Sequence, residues 1–73
     1  MESLRRQIRG IITRECVAKG IKLPHINVGC DHAEHLLDQG ETARYSVKEG
    51  IAIAQGQQRL ASYRQRATLT EVA

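Results

Sequence analysis

Seventy-three residues with a net charge of +3 make one small domain at most. There is no Phe or Trp, so the core must come from Leu, Ile, Val and two tyrosines, Tyr45 and Tyr63, and net stability stays at a few kcal/mol. The longest strictly apolar stretch, Ile51-Ala52-Ile53-Ala54, falls far short of the roughly 20 residues that span a bilayer, which excludes a membrane span.

Residues 3–19 read as an amphipathic helix, with Leu4, Ile8, Ile11, Ile12 and Cys16 at spacings of three, four and seven. Ser3 is placed to cap it and Gly20 to end it. Gly10 costs such a helix up to about 1 kcal/mol relative to alanine and would suit a close backbone approach. From Ile21 to Gly29 the alternation of Ile21, Leu23, Ile26 and Val28, broken by Pro24, predicts a loop with an extended piece over 25–28. Asp31 and Glu34 form a capping-box pair, which predicts a short helix over 32–39 ending at Gly40, with Ala33, Leu36 and Leu37 inward. Residues 42–46 alternate and include a β-former, so they can pair with 25–28 as a two-stranded ribbon. Ser46 and Glu49 make a second capping box, predicting a helix from 47 to about 65 with Val47, Ile51, Ala54 and Ala61 on one face. Gly50 and Gly56 within it permit another backbone to come close. The expected fold is a small, mostly helical α+β domain over 1–66, with 67–73 as a mobile tail.

Charge is segregated along the chain. Residues 1–22 hold six cations against two anions, a balance of +4; residues 23–50 hold two against five, or −3; residues 51–73 hold three against one, or +2. Basic ends suit a large anionic partner. The candidate contact residues are Arg5, Arg6, Arg9 and Arg14 on the first helix and Arg59, Arg64 and Arg66 on the last, since guanidinium forks match phosphates and carboxylates alike. The alternative for the first group is a solvated face that keeps the chain soluble. The segment Gln55–Arg66 carries no acid, and its Arg, Gln and Tyr63 are types that read base edges, hold phosphates and stack on bases. A polar, fraying helix end is the plainer reading of it.

His25, Cys30, His32 and His35 lie within eleven residues and are zinc-preferred types, so a structural zinc stapling a weak core is one reading. Three ordinary half-exposed histidines and no cofactor is the other. Catalytic signals are missing: no glycine-rich phosphate loop follows a strand, and Ser3, Ser46 and Ser62 have no adjacent His–acid pair. Cys16 on the apolar face reads as an inert core thiol. Arginines at the N-terminus are followed by no apolar run, so no export signal is expected, and reduced thiols in the cytoplasm follow.

The expectation is therefore a non-catalytic binder. In its length, Arg-rich N-terminal helix and Arg/Gln-rich C-terminal end, the chain resembles the small RNA polymerase-binding transcription regulators of lytic Xanthomonas phages. That resemblance implies a partner in the host RNA polymerase or its associated factors, with suppression of initiation and read-through of terminators, in the bacterial cytoplasm. No residue role follows from it. The alternative is a DNA-binding regulator of helix-turn-helix or ribbon-helix-helix type. For the first, the expected gap from Gln39 to Val47 is longer than the three- or four-residue turn such a motif needs; for the second, a helix is lacking. A third reading is an assembly or antitoxin-like protein whose partner is another small chain.

Overall fold

The computed structural model describes the backbone of residues 2–72 and the side chains of residues 3–65. Three helices follow one another: α1, Glu2–Ala18; α2, Leu23–Asp38; and α3, Ala43–Val72. No strand occurs among the described residues, so the fold is all-helical and the expected α+β class is corrected.

Two local signals account for the correction. Pro24 does not interrupt an extended piece; it sits in the first turn of α2, where a missing N–H costs nothing. Lys22 is the N-cap, its backbone extended at φ −76° and ψ 150°, and its carbonyl accepts from the Ile26 N–H. The predicted strand 25–28 and the predicted helix 32–39 thus belong to one helix, and Asp31 lies within it rather than capping it. At the next helix Thr42, not Ser46, is the cap: its Oγ1 accepts the Tyr45 N–H at 3.2 Å. Ser46 is buried inside α3, and its hydroxyl donates to the Thr42 carbonyl at 2.8 Å. The predicted 42–46 strand is the opening of α3. Ser3 likewise lies within α1, which begins at Glu2.

The glycine stops hold as expected. Gly20 and Gly40 have φ of +76° and +91°, values open to glycine. In each turn the helix carbonyls are taken up in the same way: Ile21 N–H to Cys16 and Gly20 N–H to Val17, then Glu41 N–H to Leu36 and Gly40 N–H to Leu37. Residues 19–22 and 39–42 therefore reverse the chain within four residues, and the helices run up, down and up.

The core is aliphatic and small. Ile8, Ile12 and Cys16 of α1 meet Ile26, Cys30 and Ala33 of α2 and Ala54 of α3, with Ile21 closing one end. Leu37, Ala43, Val47 and Ile51 pack around it half-buried. Between α2 and α3 the contact is backbone on backbone. A Cβ placed on Gly29 would lie 2.2 Å from the Gly50 carbonyl oxygen, and one on Gly50 would lie 2.8 Å from the Gly29 oxygen. Ala33, Ser46 and Ala54 continue this seam of small residues. Nothing comes within 4 Å of a Cβ placed on Gly10 or Gly56, so the close approach expected there does not occur.

Helix α3 has 30 residues where α1 and α2 have 17 and 16. At 1.5 Å per residue it is about 45 Å long, nearly the whole 50 Å length of the molecule. Its described side chains from Arg59 onward are all exposed, because the two shorter helices end before them. Ala61, expected inside, is exposed for that reason. The expected tail at 67–73 lies outside the described side chains.

Candidate nucleic-acid interface

The structure divides the predicted contact arginines into two kinds. Arg5 pairs with Asp38, and Arg9 donates to Asp31 at 3.0 Å and to Glu34 at 3.1 Å. Antiparallel packing of α1 on α2 sets the arginine stripe of one against the acidic stripe of the other. The carboxylates push the pKa of Arg9 up, hydrogen bonding by Asp31 being the largest cause, against a smaller loss from burial. The +4 and −3 segments of the chain thus neutralise one another in part within the fold. Arg6 and Arg14 stay exposed on the far side of α1, along a shallow groove with Ile11. Arg59 and Arg64 lie exposed on the projecting part of α3, and the side chain of Arg66 falls outside those described.

The four candidate zinc ligands all lie on α2 but do not converge. Cys30 turns into the core, its Sγ 3.9 Å from the Arg9 carbonyl oxygen and 4.0 Å from Thr13 Oγ1. His25 and His32 are half-buried and His35 exposed, with His35 Nε2 3.2 Å from Gln39 Nε2. Among the described residues no three His, Cys, Asp or Glu side chains form a group that could hold a metal. Both cysteines are free and buried, and burial pushes both thiols up.

One surface was only half visible in the sequence. Tyr45 and Tyr63 are eighteen residues apart, about five turns, so they share one side of α3. They are 45% and 72% exposed. Lys48, Ala52, Gln55 and Arg59 fall between them at steps of three and four. Arg44 and Ser62 flank the row. None of Arg44, Lys48 and Arg59 enters an ion pair among the described residues; Glu49, the sole acid over 43–65, follows Tyr45 by one turn at the edge of this row and is half-buried. The sequence signal extended over Gln55–Arg66; it missed Arg44 and Tyr45, which were expected in the 42–46 strand, and Lys48, which lies in the same expected helix but outside that acid-free run, next to Glu49.

At the bundle end this face opens into a recess of about 430 Å³, lined by Lys19, Gln55, Gln58, Arg59, Ser62 and Tyr63. Gln58 fixes its floor. The amide oxygen accepts the Lys22 N–H at 2.6 Å, and the amide nitrogen donates to the Gly20 carbonyl at 3.0 Å. The α1–α2 turn is thereby clasped to α3, and Lys19 is held beside Arg59.

No protein-family model matches the chain, and neither a curated protein nor a solved structure does. No helix among the described residues is long and apolar enough to cross a membrane.

Proposed function

We propose that this chain is a non-catalytic regulator that acts on transcription by binding bacterial RNA polymerase, in the host cytoplasm, and that it grips the transcription complex through the outer face of α3. The observation that supports this placement is the split of charge. Arg5 and Arg9 are paired with Asp38, Asp31 and Glu34 of α2, whereas Arg44, Lys48, Arg59 and both tyrosines share one side of α3 with a single half-buried carboxylate, Glu49, at its edge. A helix of about 45 Å with its far end clear of the bundle suits insertion into a cleft of a large partner. The resemblance in length and end charges to phage polymerase regulators supplies the choice of partner.

The test is recovery from a bacterial lysate. The tagged chain should retain RNA polymerase, identified by mass spectrometry. The Lys48→Glu/Arg59→Glu variant should lose it at unchanged helicity, and Arg6→Glu/Arg14→Glu should keep it. Recovery that ignores the α3 substitutions removes that face from the interface; no polymerase from the unaltered chain removes the reading.

DNA binding is the second reading, and the four-residue turns favour it more than the long gap expected from the sequence. Against it, α2 and α3 lie side by side over the length of α2, from the Gly29–Gly50 contact to the Lys22–Gln58 bond. Helices of a helix-turn-helix cross at about 90–120° instead. Ribbon-helix-helix has no strand to build on among the described residues.

A further inference from the structure

We infer that the recess beside Tyr63 binds single-stranded RNA, one nucleotide seated in the recess and the strand continuing along the outer face of α3 toward Tyr45. This rests on the reading that the outer face of α3 is the contact surface, and it names the chemistry of the ligand there.

Three observations converge. The first is cationic: Lys19 and Arg59 reach the recess from different elements, and no carboxylate lines it. The carbonyl end of α1 lies nearby and would repel a phosphate, but Cys16 and Val17 already accept the N–H groups of Ile21 and Gly20, which mutes that field. The second is aromatic: Tyr63 leaves nearly three quarters of its surface to solvent. An exposed ring next to two cations is the arrangement on which an unpaired base stacks while its phosphates are held. Arg44 and Lys48 beside Tyr45 repeat the ring and the two cations about five turns away along the same face, there with the half-buried Glu49 one turn from the ring. The third is size and polarity: 430 Å³ falls in the range of small-molecule sites. That volume admits a single nucleotide. Ser62 and Gln55 place a hydroxyl and an amide at its rim. A ribose 2′-hydroxyl both donates and accepts, so it can use such groups where deoxyribose cannot.

A duplex would meet this face through phosphates alone and would leave both rings unused. A polyanionic protein would likewise gain from the cations but not from a nucleotide-sized recess flanked by an exposed ring. Both remain outcomes of the test.

The experiment is fluorescence anisotropy on the full chain with a labelled oligouridine of about 12 nucleotides, within the span such surfaces cover. The same-length thymidine strand, an RNA duplex and polyglutamate serve as competitors, at about 50 and 200 mM salt. The RNA strand should bind tightest and weaken with salt. Tyr63→Ala should lose about tenfold in affinity, the range of one base stack, while Tyr63→Phe keeps it; neither changes the fold, because the side chain is exposed. Absence of RNA binding, tighter binding of the duplex, of DNA or of polyglutamate, or an unaffected Tyr63→Ala variant would overturn the inference. The two proposals fail separately. Polymerase recovered from a nuclease-treated lysate by a chain that binds no RNA ends this one alone. RNA bound as expected with no polymerase recovered ends the other.

Discussion

Arg9 shows how a residue's role depends on what faces it. Its guanidinium bridges two carboxylates of α2 while staying 36% exposed. Solvent screens such pairs, so Arg9→Ala should lower stability by about 1 kcal/mol or less, read from urea unfolding. Charge reversal is harsher: Arg5→Glu/Arg9→Glu would set new carboxylates against Asp38, Asp31 and Glu34, and a loss of partner binding in that variant would report a damaged fold. The thiols give a pH signature. Cys16 and Cys30 have raised pKa values, burial being the first cause in each. The folded chain therefore keeps these protons above ~8.5, where an unfolded thiol ionises. Their contribution to stability is complete below that value and is lost as pH climbs toward the folded pKa. The thermal midpoint should fall between neutral pH and the alkaline side, and Cys16→Ala/Cys30→Ala should flatten that slope. Chelator should leave the helical signal unchanged, since Cys30 is held in the core, apart from the histidines.

At the scale of the helices, glycine separates tolerant from intolerant positions. Gly29 and Gly50 face one another's carbonyls, so Gly50→Ala should cost about 1–3 kcal/mol and Gly29→Ala the upper part of that range, where the obstacle is backbone at 2.2 Å. Gly10 has open space around it, and Gly10→Ala should stabilise α1 by about 0.5–1 kcal/mol. Denaturant midpoints of the three variants check the contrast. The same logic explains what could be read from the chain. Helix α1 was legible because large aliphatics recur at helical spacing, and both turns were legible because Gly20 and Gly40 interrupt that spacing. Helix α2 was not, because Pro24 and the alternating Leu23, Ile26 and Val28 imitate a strand locally. The seam of Gly29, Ala33, Ser46, Gly50 and Ala54 carries almost no hydrophobic signal, so a pattern built on large residues passes over it. Candidate arginines could be named from charge, but their pairing depended on an antiparallel α1–α2 contact that only the tight turn dictates.

For the whole molecule, the division of labour is between a closed bundle and a projecting helix. A chain ending at Gln58 keeps every buried residue and the Gln58 clasp. It should lose no more than about 1 kcal/mol, roughly 4–8 °C in thermal midpoint for a domain of this size. Polymerase recovery and RNA binding should both disappear from it. Reversal of the chain within four residues, twice, has a further effect on time rather than on energy. Each helix finds its partner in the segment synthesised just before it, so little entropy is spent on closing loops, and chains with such local connectivity fold in microseconds to milliseconds. A newly made copy can reach its working form well before the next one leaves the ribosome.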